Sequence, residues 1–359
     1  MSTSIPGYNP TFLGKKIDLP ILDLSDCAPL LNGTGMDTVA DKEIKYTHFS
    51  IFQHKVRKLP ILAAVNISGE AYNASTRTGG DDWNYCNQID KSYQLGGTFY
   101  GNDLKTFDRG HIIRRVDPCW GDKETCERAD AETFNWANCT PQHKLLNQKK
   151  GIWYELEQHV IENGVKDKKA DVSVFAGPVL NKKDLNFIKP YRESPIQIPS
   201  AFWKIIVYKK TDGKTYAVGF MMSQWQFIKD RMINGPVLEK ARINLKDTLP
   251  DDYFENLKFS DNKVYQVKID EIELATGIRF NWKGVGRPFQ QPQPLAIIAK
   301  AVNKKTILPD VGNGEPVSDL TIKSVVPKNP FDKSAIISGD ILYNQNTSIK
   351  KLVLKNIIL

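Results

Sequence analysis

Phe107-Asp108-Arg109-Gly110-His111, continued by Asn138-Cys139-Thr140-Pro141-Gln142-His143, Asn147-Gln148 and Trp153-Tyr154-Glu155-Leu156-Glu157, holds the densest set of reactive side chains in this sequence. Histidine is the natural general base near neutral pH, because its unperturbed pKa is about 6.5. The glycine directly before His111 lets the backbone approach a ligand closely. Arg109 offers a planar, permanently charged fork suited to phosphate oxygens. The amides and carboxylates that follow are oxygen donors, which suit a hard cation such as Mg²⁺ that keeps its waters and takes few protein ligands. Base, phosphate clamp and sparse oxygen-ligated cation together describe phosphodiester hydrolysis.

Outward from this segment, the spacing of Leu145/Leu146, Ile152/Trp153, Leu156 and Val160/Ile161, stopped by Asn163-Gly164, predicts an amphipathic helix over 144–163. Short apolar runs predict buried strands at 59–68, 172–177, 202–208 and 216–222. Residues 75–101 are turn-rich, and 224–245 add a further helix or two. Strands mixed with a few helices, without regular βαβ alternation, predict an α+β fold. Residues 1–45 read as an extended lead-in broken by Pro6, Pro10, Pro20 and Pro29. A linker is expected at 284–294, where Gly284, Gly286, Pro288, Pro292 and Pro294 cluster, followed by a β-rich extension over 295–359.

Several blocks in one order resemble the DNA/RNA non-specific endonucleases, the family of the Serratia-type nuclease and endonuclease G. They are Asp108-Arg109-Gly110-His111, Asn138-x-x-Pro141-Gln142, Leu146-Asn147-Gln148 and Trp153-x-x-Leu156-Glu157. Ala64-Val65-Asn66-Ile67-Ser68-Gly69, Val174-Phe175-Ala176-Gly177-Pro178-Val179, Pro199-x-x-Phe202-Trp203-Lys204 and Thr276-Gly277-Ile278-x-Phe280 extend the likeness over roughly 46–283. The resemblance implies a ββα-metal (His-Me finger) nuclease fold with a central antiparallel sheet. It implies Mg²⁺-dependent, sugar-non-specific cleavage of DNA and RNA that leaves 5′-phosphate ends, with Mn²⁺ as a substitute. His111 would be the general base and Asn147 the protein ligand to the metal. Glu157 would hold a water of the cation's shell, and Asn138, Gln142 and Asp108 would support the geometry. Arg109 and Arg77, the latter in Thr76-Arg77…Trp83, would meet the phosphate, and Arg114 and Arg115 are further candidates for phosphate contact.

This chain carries about two extra residues at Lys149-Lys150-Gly151 relative to Serratia-type members. The frame anchored on Trp153 selects Glu157, whereas counting from Asn147 selects Glu155; the helical phase fixed by Trp153 and Leu156 favours Glu157. Simpler readings stand beside the chemical ones. Asn147 is also a natural helix cap, Trp153, Leu156 and Val160 are core positions, and His48, His54 and His159 lie in no comparable context. Cys119-x6-Cys126-x12-Cys139-x3-His143 has enough soft ligands for a structural zinc, but its spacing fits no common zinc module, and buried or unpaired thiols are the expected reading. A catalytically inactive family member that binds nucleic acid or protein, and a phosphodiesterase for small nucleotides, are the competing functions.

Composition sets the outer limits. With 359 residues, 41% hydrophobic and 25% charged, the chain is neither disordered nor low-complexity. No run approaches the ~18 apolar residues of a membrane span, so no membrane partner is expected. No signal peptide is visible at the start, so a cytoplasmic location is the default expectation, with export by another route or a mature secreted form as the alternatives. Five cysteines are too few and odd in number for a disulfide framework. The net charge of +8 is unevenly placed: residues 1–283 hold 39 basic and 36 acidic side chains, and residues 284–359 hold 10 and 5. Charge alone therefore says little about a nucleic-acid partner. An unrestrained non-specific nuclease would harm its own cell, so an inhibitor, an activator or a homodimer partner is expected.

Overall fold

The computed structural model describes residues 5–73, 81–100, 107–143, 169–182, 184–187, 196–224, 228 and 264–288. The helix expected over 144–163, most of 224–245 and the extension over 295–359 lie outside these residues.

In chain order the elements are α1 (Val39–Lys42), β1 (Ile44–Tyr46), β2 (Phe49–Gln53), β3 (Pro60–Ile67), α2 (Gly97–Tyr100), β4 (Phe107–His111), α3 (Lys123–Thr133), β5 (Cys139–His143) and β6 (Val172–Val179). They continue with β7 (Leu185–Phe187), β8 (Ile196–Ile198), β9 (Ala201–Lys209), β10 (Thr215–Ser223), β11 (Val264–Val267) and α4 (Ile269–Thr276). Seven strands form one sheet in the order β1-β2-β3-β6-β9-β10-β11, and every neighbouring pair is antiparallel. The apolar runs expected to be strands are β3, β6, β9 and β10, at the middle of this sheet. Those strands read as nearly continuous apolar stretches because both of their faces are covered, so alternation with polar residues is lost.

Period-two geometry divides the side chains between two cores. On one face Ala63, Val65, Ile67, Val172, Val174, Ala176, Phe202, Ile206, Tyr208, Val218, Phe220 and Met222 pack with Ile112, Ile113 and Ala137. On the other, Leu62, Ala64, Phe175, Trp203, Ile205, Val207, Ala217 and Met221 meet Tyr8, Leu13, Ile17 and Cys27 from the lead-in, and Ile269, Ile272, Ala275, Phe280 and Trp282 from α4 and beyond. Each fully buried side chain of this size contributes roughly 1.5–3 kcal/mol. The second face needs its cover, and the lead-in supplies part of it. Polar ties fix the lead-in there: Asn66 accepts from Asn9 N at 2.7 Å and donates to Ser173 Oγ at 3.0 Å, and Trp282 Nε1 donates to Asp18 O at 2.8 Å. A backbone bridge joins Ile21 to Arg279.

The excursion between β6 and β9 is held by a buried ion pair. Arg57 Nη2 donates to Asp184 Oδ2 at 2.6 Å, and Arg57 also donates to the carbonyls of Asn181 and Gln197. Burial pushes the Asp184 carboxyl up, against the pull of the Arg57 charge. Among the described residues no helix is long and apolar enough to cross a membrane.

Candidate active site

β4 and β5 form a separate antiparallel pair with Phe107 opposite His143, Asp108 opposite Gln142, Arg109 opposite Pro141, Gly110 opposite Thr140 and His111 opposite Cys139. The pair lies against the first face of the main sheet through Ile112, Ile113 and Ala137. Gln224, at the end of β10, ties it down: its oxygen accepts from His143 N at 2.8 Å and its amide donates to Pro141 O at 3.2 Å. Phe107 enters a third apolar cluster with Leu59, Leu95, Phe99, Ile196 and Ile198. The two strands are therefore anchored at both ends to rigid neighbours.

Alternation along β4 places Arg109 and His111 on one face and Asp108 and Gly110 on the other. Arg109 is exposed, His111 and Asp108 are partly buried, and Gln142 is fully buried. Gly110 is required for a packing reason: a Cβ there would overlap the Gln142 side-chain amide. Neither amide atom of Gln142 has a hydrogen-bond partner among the described residues, so the structure holds a buried oxygen and nitrogen directly behind the His111 strand.

Asn138 closes the other end. Its oxygen accepts from Ile113 N at 2.9 Å, and its amide donates to Ile113 O and Thr133 O, both at 2.9 Å. Ile112 N also donates to the Asn138 carbonyl at 3.0 Å. With both side-chain atoms engaged, Asn138 fixes the chain leaving His111 and is not a ligand in waiting. The two arginines after the histidine also have defined surroundings. Arg115 Nη1 pairs with Asp130 Oδ2 of α3 at 2.6 Å, and Arg114 N donates to Asp117 Oδ2 at 3.1 Å.

The imidazole of His111 lies in an aromatic setting drawn from other segments. The Trp83 ring is 4.6 Å away at 50°, and the Phe134 ring is 4.9 Å away, edge-on at 89°. Trp83 stacks on Trp136 at 5.1 Å, and Trp136 stacks on Tyr100 at 5.5 Å. The Arg109 guanidinium lies 6.0 Å over the Trp83 ring. Sequence reading used Trp83 only as a spacing mark and passed over Phe134 and Trp136. The available signal was the aromatic density at Trp83, Tyr85, Phe134 and Trp136, which has no helical or strand period to make it stand out.

Of the residues singled out in the sequence, the β4–β5 unit brings together Asp108, Arg109, His111, Asn138 and Gln142. Arg77, Asn147, Glu155 and Glu157 lie outside the described residues. Among the described residues no group of three His, Cys, Asp or Glu side chains converges on a point. A hard cation takes oxygen ligands; the Asn138 side-chain oxygen is engaged by Ile113 N, and the Gln142 amide is buried on the face away from His111. Of the four residues weighed for zinc, Cys119 and Cys126 lie together, Cys119 donating to Arg115 O and Cys126 to Asn73 O, whereas Cys139 faces Tyr100 from β5 and His143 stands opposite Phe107. All five cysteines are free and buried. His48 and His54 are satisfied locally. His48 Nδ1 is 2.8 Å from Pro118 O, and His54 Nδ1 accepts from Val56 N and Arg57 N. His159 lies outside the described residues.

Comparison with known proteins bears on family and fold. A Sinorhizobium fredii protein named y4fB is 34% identical over 232 residues, which is 62% of this chain and 33% of that protein. A salivary endonuclease of Culex quinquefasciatus is 26% identical over 101 residues, 28% of this chain and 26% of that protein. The chain thus spans a third or less of the length of these curated relatives. A solved EndoG/EndoGI complex contains a chain that shares the fold with a TM-score of 0.50 and 18% identity, covering 79% of this chain and 96% of the other. The antiparallel sheet carrying a separate ββ unit is therefore a ββα-metal architecture, and a model of the DNA/RNA non-specific endonucleases matches residues 30–285, so the chain belongs to that family.

Proposed function

We propose that this chain is a Mg²⁺-dependent endonuclease that hydrolyses phosphodiester bonds in DNA and RNA. The observation that carries the reading is the β4–β5 pair, which sets His111 and Arg109 on one face, two residues apart, with their supporting groups behind them. In the proposed reaction His111 accepts a proton from water as the water oxygen bonds to phosphorus. The bond from phosphorus to the 3′-oxygen breaks, the leaving oxygen takes a proton from solvent, His111 returns its own proton to solvent, and a 5′-phosphate remains. Arg109 is exposed and permanently charged, so its fork is open to the phosphate oxygens. Asn138 holds the exit from His111 by its three hydrogen bonds and Gln142 fills the space beside Gly110, so the base keeps its position. The cation, when bound, would offset the negative charge that builds on the phosphate and leaving oxygen. Asn147 is assigned as its ligand and Glu157 as a second contact to its water shell.

Reading by backbone and not by base edge fits a non-specific enzyme, and implies binding that weakens with salt. A restraining protein partner is also proposed; the structural neighbour was solved in a complex described by the mechanism of EndoG inhibition.

The test incubates the purified chain with circular DNA and with RNA, in Mg²⁺ or in EDTA. Cleavage of both substrates that EDTA stops is the expected result. His111→Ala and Asn147→Ala should each lower cleavage by about 10²- to 10⁴-fold with little change in unfolding temperature. Undiminished cleavage by His111→Ala, or activity indifferent to EDTA, overturns the mechanism.

A further inference from the structure

We propose that Trp83 is a positioning residue for the His111 and Arg109 pair, acting through ring contacts and not through the substrate. The inference rests on the reading of His111 as the general base. Trp83 comes from a loop 28 positions before His111, yet its indole touches both groups that the chemistry needs. It lies 4.6 Å from the imidazole and 6.0 Å beneath the Arg109 guanidinium. A histidine held only by its own rotamer samples several orientations, and a misplacement of about 1 Å can cost 10²-fold in rate. Here the imidazole packs in the angle between Trp83 and Phe134, which meets it edge-on at 4.9 Å, and the two rings restrict its rotation.

Trp83 is itself rigidly placed, which a positioning residue requires. Asn84 N donates to Phe134 O and Trp136 N donates to Asn84 O, both at 2.9 Å, so residues 83–85 are zipped to 134–136. The indole stacks on Trp136 at 5.1 Å and meets Phe134 at 5.6 Å. The segment that anchors Trp83 runs directly into Asn138, whose side chain holds Ile113 just past His111. The 134–138 segment therefore bears on the histidine twice, by anchoring Trp83, whose ring meets the imidazole at a tilt of 50°, and by the hydrogen bonds of Asn138. The cation–π contact gives Arg109 a preferred position over a flat face while leaving its fork accessible.

The experiment compares the full chain with Trp83→Phe, Trp83→Leu and His111→Ala, using a supercoiled plasmid in Mg²⁺ and measuring kcat and KM separately. Trp83→Leu keeps apolar bulk and removes the flat ring, so it guards against simple failure to fold; unfolding temperature is recorded for each. The expected result is a kcat lowered about 10- to 100-fold in Trp83→Leu with KM changed less than threefold, and most activity retained in Trp83→Phe. Binding of a labelled duplex in EDTA is then compared for His111→Ala and for His111→Ala combined with Trp83→Leu. Equal Kd within twofold is expected. A tenfold weaker Kd, or a raised KM at unchanged kcat, would make Trp83 a substrate contact and overturn the proposal. Parent-like kcat in Trp83→Leu also overturns it, while the loss of activity in His111→Ala leaves the nuclease reading standing. Parent-like cleavage by His111→Ala would instead remove the nuclease mechanism on which the proposal rests.

Discussion

At Gly110 the requirement for glycine comes from a neighbour across the ladder. The Gln142 amide occupies the space that a Cβ would fill, and it is fully buried there. Residue 110 therefore sets whether the Gln142 side chain can lie across the strand of the base on the face away from His111. Gly110→Ala is expected to cost about 1–3 kcal/mol through overpacking and to depress cleavage by moving His111. The two positions should be coupled. In a Gln142→Ala background the same Gly110→Ala change should cost at least 1 kcal/mol less, as read by denaturant unfolding of the four proteins in a double-mutant cycle. Additive costs would show that the overlap with Gln142 is not what forbids a side chain at 110. Asn138 illustrates the same scale from the polar side. The sequence motif placed it among the site's supporting residues, and its three hydrogen bonds define that support as the shape of the turn after His111.

Among the elements, α4 shows how a short helix is held at a cost. Its first turn buries Glu271, which reaches back to accept from Lys268 N at 2.9 Å, and it ends on Gly277 in the left-handed region at φ 76°. Burial pushes the Glu271 carboxyl up to about 7, opposed by the Lys268 hydrogen bond and charge and reinforced by Asp270. A raised carboxyl binds its proton more tightly in the folded chain than in the unfolded one. Its stabilising contribution is complete below about 4.5 and is lost as pH rises through about 7. Glu271→Gln keeps an acceptor for Lys268 N without a charge to bury. The variant should unfold at a higher temperature than the parent at pH 8, with the advantage shrinking towards zero near pH 4.5. The difference is on the order of 3 kcal/mol at its largest. Equal unfolding temperatures at pH 8 would mean that the carboxylate is better solvated than its 8% exposure implies.

For the whole molecule, the lead-in is as much a part of the core as the strands it covers. The family match begins at residue 30, yet Tyr8, Leu13 and Ile17 are buried against the second face of the sheet. Deleting residues 1–22 exposes that face, and three side chains worth roughly 1.5–3 kcal/mol each are comparable with the 5–15 kcal/mol by which domains are stable. The truncated chain should lose at least 10 °C in unfolding temperature or accumulate as insoluble protein; an unfolding temperature within 3 °C of the parent would mean that the lead-in is dispensable. Much of the architecture was legible before any coordinates. β3, β6, β9 and β10 announce themselves because a strand covered on both faces must be apolar throughout, and the Asp108–His111 motif announces itself because a base, a charge and a glycine at fixed spacing serve one chemistry. The covering role of residues 5–28 was not legible, since its apolar side chains follow no period and gain meaning only from the sheet beneath them. The same holds for Trp83, Phe134 and Trp136, which meet His111 from different loops. Local pattern determined the strands, the motif and the order of the blocks, because those depend on neighbours along the chain. Tertiary structure alone decided which side chains surround the base, because contacts between residues separated by many positions are set by packing and leave no repeat in the sequence.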